Sequence, residues 1–272
     1  MAHELPAGSA GNGHAPARPS KMSTIVARSI VADIATGLKP GDTLPSETTM
    51  MQRYQVGRAS VREALRVLEV SGVVHLKSGP TGGPVVEDLS AGDLGHMMAL
   101  YFQILGVTFR DIIGARTRLE PLLARLAAEE GDEDLRTRLT ENVEASVRAG
   151  VSDPVAYAAH AKEFHDLLAG GAVANPVLGL LTRSVSRVYE SFVRARGRVR
   201  TGSRGTPPVT DDQRAATEQH QRDVIAEHQQ IMNAVVAGDG ATAQRLMEEH
   251  MRSFAEHASA EYELALDEVV EW

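Results

Sequence analysis

The chain contains no cysteine. Disulfides, thiolate nucleophiles and cysteine-based zinc sites are therefore excluded, and a reducing cytoplasm fits the composition. Aromatic residues make up only 4% of its 272 positions. Ala, Leu, Val, Arg and Glu are abundant instead, a balance that favours helix. No apolar run approaches the roughly 20 residues that a bilayer crossing needs, so no membrane partner is expected. The opening MAHELPAGSAGNGHAPARPS lacks the apolar core of a signal peptide, and its Ala, Gly and Pro content predicts a disordered tail over 1–20. HExxH is also missing, which leaves a zincin-type protease unsupported.

What is present is a chain 43% apolar and 24% charged, with material for two cores and a formal charge of −8. The charge is uneven. Residues 21–90 carry 8 Lys and Arg against 7 Asp and Glu, whereas 91–272 carry 19 against 28. Within 50–80 the bias turns basic, with Arg53, Arg58, Arg62, Arg66 and Lys77 opposed only by Glu63 and Glu69. A local basic face on an acidic protein points to a polyanion contact.

The N-terminal pattern reads as helix, helix, tight turn, helix and hairpin. STIVARSIVADIATG (23–37) has near-helical apolar spacing, with Ser23 as its N-cap. LKPGDTLP is a turn-rich connector, SETTMMQRYQ a short helix capped by Ser46, and Val56-Gly57 a tight turn. The third helix, about 58–70, places Val61, Ala64, Leu65 and Leu68 on one stripe. Arg58, Arg62 and Arg66 lie roughly 110° away from that stripe at about 100° per residue. VVHLK and PVVED then form two strands around a glycine-rich tip.

This order is a winged helix-turn-helix over 21–88. Its recognition helix presents N-terminal residues to the major groove. Arg58 and Arg62 can take a guanine edge or a phosphate, and Ser60 can donate to either. Arg66 is peripheral. In the wing, Gly79 and Gly82 let backbone approach the duplex and Lys77 reaches phosphate. A solvated arginine face paired with Glu63 and Glu69 is the competing reading.

From 92 to 268 only helical patterns follow, at about 92–105, 108–130, 132–149, 154–169, 176–196, 214–237 and 240–267. The expected fold is therefore mainly α, with an all-α bundle of six or seven helices after the winged helix. Asp153-Pro154 and Asn175-Pro176 mark two helix starts. The Gly/Pro-rich insert 196–214 reads as a flexible surface loop or a lid. Of the 10 histidines, His165, His228 and His250 each have apolar neighbours at helical spacing and so lie near a buried face.

PGDTLPSE, VGRASVREAL, LEVSGVV and the glycine-rich wing resemble the winged helix of GntR-superfamily bacterial transcription factors. RTRLEPLLARLAA, EFHDLL, NPVL, EHQQIMNAVVAGD and MEEH resemble the FCD effector-binding bundle of the FadR subfamily. The likeness spans 25 to about 260. It implies a homodimeric regulator on double-stranded operator DNA, a repressor released by a small carboxylate effector. Arg116 matches a family arginine that meets such a ligand, and its planar guanidinium suits bidentate carboxylate recognition; a surface salt bridge with Glu120 is the competing reading. His165, His228 and His250 match the family's three metal-binding imidazoles, for zinc or nickel. Three positions depart from the pattern. Gly57 replaces a Ser or Thr, Thr48 an arginine, and Ala161 the carboxylate ligand one turn before His165. A metal-free pocket lined by three histidines, a metal-responsive regulator and a three-histidine hydrolase using Glu163 or Asp166 remain as alternatives.

Overall fold

The computed structural model describes residues 21–79, 82–171, 175–202 and 210–270, so the expected tail over 1–20 lies outside it. The chain divides between Leu89 and Ser90 into two compact units.

The first unit contains α1 (Lys21–Gly37), α2 (Glu47–Tyr54), α3 (Arg58–Val70), β1 (Val74–Lys77) and β2 (Gly83–Val86). α3 buries Val61, Ala64, Leu65 and Leu68, the stripe expected from its spacing, against Val26 and Ile30 of α1 and Met50 of α2. Each fully buried side chain of this size contributes about 1.5–3 kcal/mol. Ser46 caps α2 by accepting from the Thr49 amide. Ser23 does not cap α1: the helix begins two residues earlier and Ser23 is buried inside it. α2 ends on Gln55 at φ 52°, a left-handed conformation that a non-glycine residue adopts only at a cost.

β1 and β2 pair antiparallel, with Val74 opposite Val86 and Lys77 opposite Gly83. The PGDTL connector is more than a turn. Leu44 donates to the Pro84 carbonyl and Val86 to that of Asp42, so the connector lies along the free edge of β2. Such pairing between segments about 40 residues apart leaves no periodic trace in so short a stretch.

The second unit holds α4 (Ala91–Leu105), α5 (Phe109–Glu130), α6 (Glu133–Ala149), α7 (Pro154–Gly171), α8 (Pro176–Gly202), α9 (Asp211–Val236) and α10 (Gly240–Glu261). Capping boxes start α4 (Ser90 with Asp93), α5 (Thr108 with Asp111) and α9 (Thr210 with Gln213), each satisfying orphan amides at both ends of the motif. Asp153 and Asn175 accept from amides in the first turns of α7 and α8. α4 crosses α8 closely at Gly95, where a Cβ would lie 2.9 Å from the Ser184 carbonyl.

Two expectations need correction. The described ends of the insert 196–214 are helical, because α8 runs on to Gly202 and α9 starts at Asp211; 203–209 lie outside the described residues. The last helix stops at Glu261 rather than 267. A short 3-10 turn (Glu263–Ala265) follows, and the chain returns along the α4–α5 turn, where Phe109 donates to Glu268 and Val270 to Val107. That return closes a core of Phe109, Phe192, Tyr189 and Tyr262. A second core lies around Leu139, Phe164, Ile231, Met247 and Met251.

Candidate functional site

Arg58 opens α3, and Arg62 and Arg66 follow at one-turn intervals, all three exposed. Arg58 and Arg62 face Glu47 of α2, at 3.6 and 3.8 Å. Neither Glu63 nor Glu69, the partners expected from the sequence, forms these pairs. Pairs this long and exposed contribute about 0–1 kcal/mol and give way to a stronger anion. Ser60 is half-buried two residues before Arg62, and Gly57, the N-cap, offers no side-chain cap. Arg53, also exposed, bonds Asp33 of α1 at 2.7 Å beside Tyr54. At the wing, Lys77 is exposed at the end of β1 and Gly79 sits at φ 114°. A Cβ at Gly82 would collide with the Lys77 carbonyl, so the tip demands glycine there.

In the second unit, α7, α9 and α10 bring His165, His228 and His250 together. His250 Nε2 lies 3.3 Å from His228 Nε2 and 3.4 Å from His165 Nε2, and all three ligand atoms fall within 4.8 Å of one another. His228 and His250 are buried. Phe164 stacks on the His228 ring with centroids 3.9 Å apart. Burial, with help from the other two imidazoles, pushes His228 well below the usual histidine range. Burial also lowers His250, against the opposing hydrogen bond to Glu227.

Carboxylates behind the rings set their direction. Glu227 Oε2 meets His250 Nδ1 at 2.7 Å, and Glu120 Oε2 meets His165 Nδ1. A carboxylate beside Nδ1 favours the tautomer that carries its proton there and presents a bare Nε2. Glu120 also accepts from Arg116 Nε at 2.6 Å, with both residues buried. The salt bridge expected at the surface is therefore made in the interior. Burial works to raise the Glu120 carboxyl, but Arg116 and His165 overcome it and hold the group below the ordinary range. The Arg116 guanidinium lies between the Tyr189 and Phe254 rings, 4.8 and 4.6 Å from their centroids.

The histidines and Arg116 share the wall of a cavity of about 340 Å³. Tyr157 and Tyr189 also line it, both pushed up to about 12 by burial, so their hydroxyls stay protonated as donors. Ala161 faces the same space, whereas His160 turns to Glu163. His220 lines the cavity and stacks on His257, with ring centroids 3.8 Å apart. Sequence reasoning missed Glu227, Phe164 and the inward role of Glu120. Only the Arg116–Glu120 spacing was visible, and spacing alone does not distinguish a buried pair from an exposed one.

The two bases that a hydrolase would need are engaged. Glu163 accepts from Asn142 at 2.9 Å, and Asp166 from Arg187 at 2.6 Å and Lys162 at 3.2 Å. Among the described residues, no helix is long and apolar enough to cross a membrane.

Comparison with known proteins agrees with this layout. Residues 23–81 match the description "Bacterial regulatory proteins, gntR family", and residues 111–253 match "FCD domain". The chain is 28% identical over 232 residues to the HTH-type transcriptional regulator LutR of Bacillus subtilis, covering 83% of this chain and 95% of that protein. It is also 28% identical over 224 residues to the HTH-type transcriptional repressor NanR of Cronobacter sakazakii, covering 78% and 75%. In fold it resembles the Streptococcus agalactiae GntR structure, at TM-score 0.62 and 20% identity over 87% of this chain and all of that one. A gntR-type reader followed by an FCD bundle spanning more than half of the sequence makes this chain a DNA-binding transcription regulator of the GntR family, FCD-containing branch, and not an enzyme.

Proposed function

We propose that this regulator is a homodimeric, cytoplasmic repressor released from its operator by a small carboxylate effector. Two winged helices would engage two half-sites of a pseudo-palindromic operator. Arg58, Ser60 and Arg62 make the groove and phosphate contacts, and Lys77, Gly79 and Gly82 carry the wing to the backbone.

The observation that carries the effector reading is the convergence of three imidazole Nε2 atoms on a cavity that Arg116 also lines. The donor set fits a divalent ion. Two of the Nδ1 atoms face carboxylates, which leaves Nε2 lone pairs aimed at one another. The 3.3 and 3.4 Å spacings are close to the ~3.3 Å edge expected for tetrahedral zinc–nitrogen bonds of ~2.0–2.1 Å. His165, His228 and His250 would hold zinc or nickel, with Ala161 leaving one side to solvent or effector. The ion supplies positive charge that draws an anionic effector. Arg116 offers its guanidinium to the carboxylate, because Glu120 engages only Nε among the described residues. Tyr157 and Tyr189 donate hydroxyls. Occupation of the bundle then shifts the protein toward a state of lower operator affinity.

Metal analysis of protein purified without chelator, with gel-shift titration on DNA upstream of its own gene, tests this reading. The expected result is stoichiometric zinc or nickel and an operator complex dissociated by one of a panel of carboxylates. Absence of any specific DNA complex overturns the operator reading. Release by chelator alone, with no carboxylate responding, makes the metal itself the signal.

A further inference from the structure

We infer that Glu120 is a positioning residue that ties the cavity's arginine to the histidine cluster, so that Arg116 acts on His165 without touching it. The inference rests on the metal reading above and deepens it.

Glu120 sits on α5 with both carboxylate oxygens committed. Oε1 takes Arg116 Nε and Oε2 faces His165 Nδ1. A carboxylate hydrogen-bonded to Arg116 at one oxygen keeps the other against His165 Nδ1, and that close ion pair sets the direction of the imidazole. Arg116 cannot drift, because Tyr189 and Phe254 hold its guanidinium on two sides. The chain of contacts therefore runs from the cavity wall, through one buried carboxylate, to one of the three converging rings. Glu227 contrasts with it: this residue reaches His250 directly from the cavity wall and is about one-third exposed.

Stability does not account for such an arrangement. A buried ion pair costs several kcal/mol of desolvation per ion, and apolar residues of similar volume often do as well or better. Arg116 and Glu120 are only 6% and 4% exposed. The contact of Glu120 with His165 supplies the missing reason. An anion drawn to Arg116 would compete with Glu120 for the guanidinium and so alter the hold on His165. By reciprocity, the state of the histidine cluster would alter the affinity for that anion.

The test is a double-mutant cycle read with Zn²⁺ alone, by competition with a chromophoric chelator, on the full chain. Glu120→Gln keeps the shape but replaces one acceptor by a donor, and Zn²⁺ affinity should fall by roughly tenfold to a hundredfold. Arg116→Met frees the carboxylate to rotate and should cost several-fold. In the Glu120→Gln background, Arg116→Met should cost nothing further. The second readout is the imidazole ¹⁵N shift of His165 in chelator-treated protein, which should move from an Nδ1-protonated tautomer to a mixture in Glu120→Gln. If that variant does not fold, Arg116→Lys carries the test, with a smaller affinity loss and a partial tautomer shift expected. Unchanged tautomer and affinity in the tested variant overturn the inference, as does an Arg116 effect that persists in full without Glu120. If the parent protein binds no Zn²⁺, the metal reading fails, and the tautomer readout alone decides whether Glu120 holds His165.

Discussion

Phe164 lies flat on His228, with ring planes 10° apart and centroids separated by 3.9 Å. The phenylalanine is fully buried and belongs to the core shared by α5, α6, α7, α9 and α10. One side chain thus fills the core and braces a candidate ligand. Phe164→Ala should cost about 3–5 kcal/mol in chemical denaturation, together with a loss of Zn²⁺ affinity. A change under about 1 kcal/mol would mean that the ring is not packed as described.

The exposed arginines of α3 make a separable prediction. Arg58→Gln or Arg62→Gln should weaken operator binding by about 1–3 kcal/mol where the arginine reads a base. Where it holds a phosphate, the slope of log affinity against log salt should shrink by about 0.9. Helix content should not change, because the Glu47 contacts are long and exposed. Both variants binding like the parent would remove α3 from the interface.

Ala161 offers a gain-of-function test. It lines the cavity one turn before His165. Ala161→Asp places a charged donor beside three neutral ones and should raise Zn²⁺ affinity by at least about tenfold, the lower end of what outer partners already contribute. A chelator competition that shows no tighter binding speaks against a shared metal at the three rings.

The pair of His220 and His257 predicts an acid-side effect. Burial first, then its stacked partner, lowers the pKa of His220, with Asp223 and Glu227 opposing. A depressed histidine favours folding while neutral. Its contribution is complete above the ordinary value near 6.5 and is lost as pH falls through the folded value. His220→Asn should therefore flatten the fall in thermal midpoint between about pH 7 and pH 5. A variant whose profile superimposes on the parent would show that the ring is solvated.

Gly57 tests a local rule. It caps α3 with no side-chain hydrogen bond, and a Cβ there meets nothing within 4 Å. Gly57→Ser should stabilise the helix start by a few tenths of a kcal/mol, seen as a small rise in thermal midpoint. A loss of stability would indicate that the turn from Gln55 to Arg58 cannot hold a side chain.

The sequence by itself determined the helices and their order, because apolar spacing and caps such as Thr108 with Asp111 act within one or two turns. It also determined the apolar stripe of α3, where Val61, Ala64, Leu65 and Leu68 recur at helical period and are all buried. It picked out His165, His228 and His250 through motif resemblance, although nothing local says that rings 85 residues apart in sequence end 3.4 Å apart. Tertiary structure alone decided which carboxylate stands behind which ring, that Arg116 and Glu120 meet in the interior, and that Arg53 pairs with Asp33. It also folded the chain after Glu261 back on the α4–α5 turn. Helix periodicity is written in neighbours three and four residues apart. Burial of a charge depends on what packs over it, and those partners come from elements that no window of sequence contains.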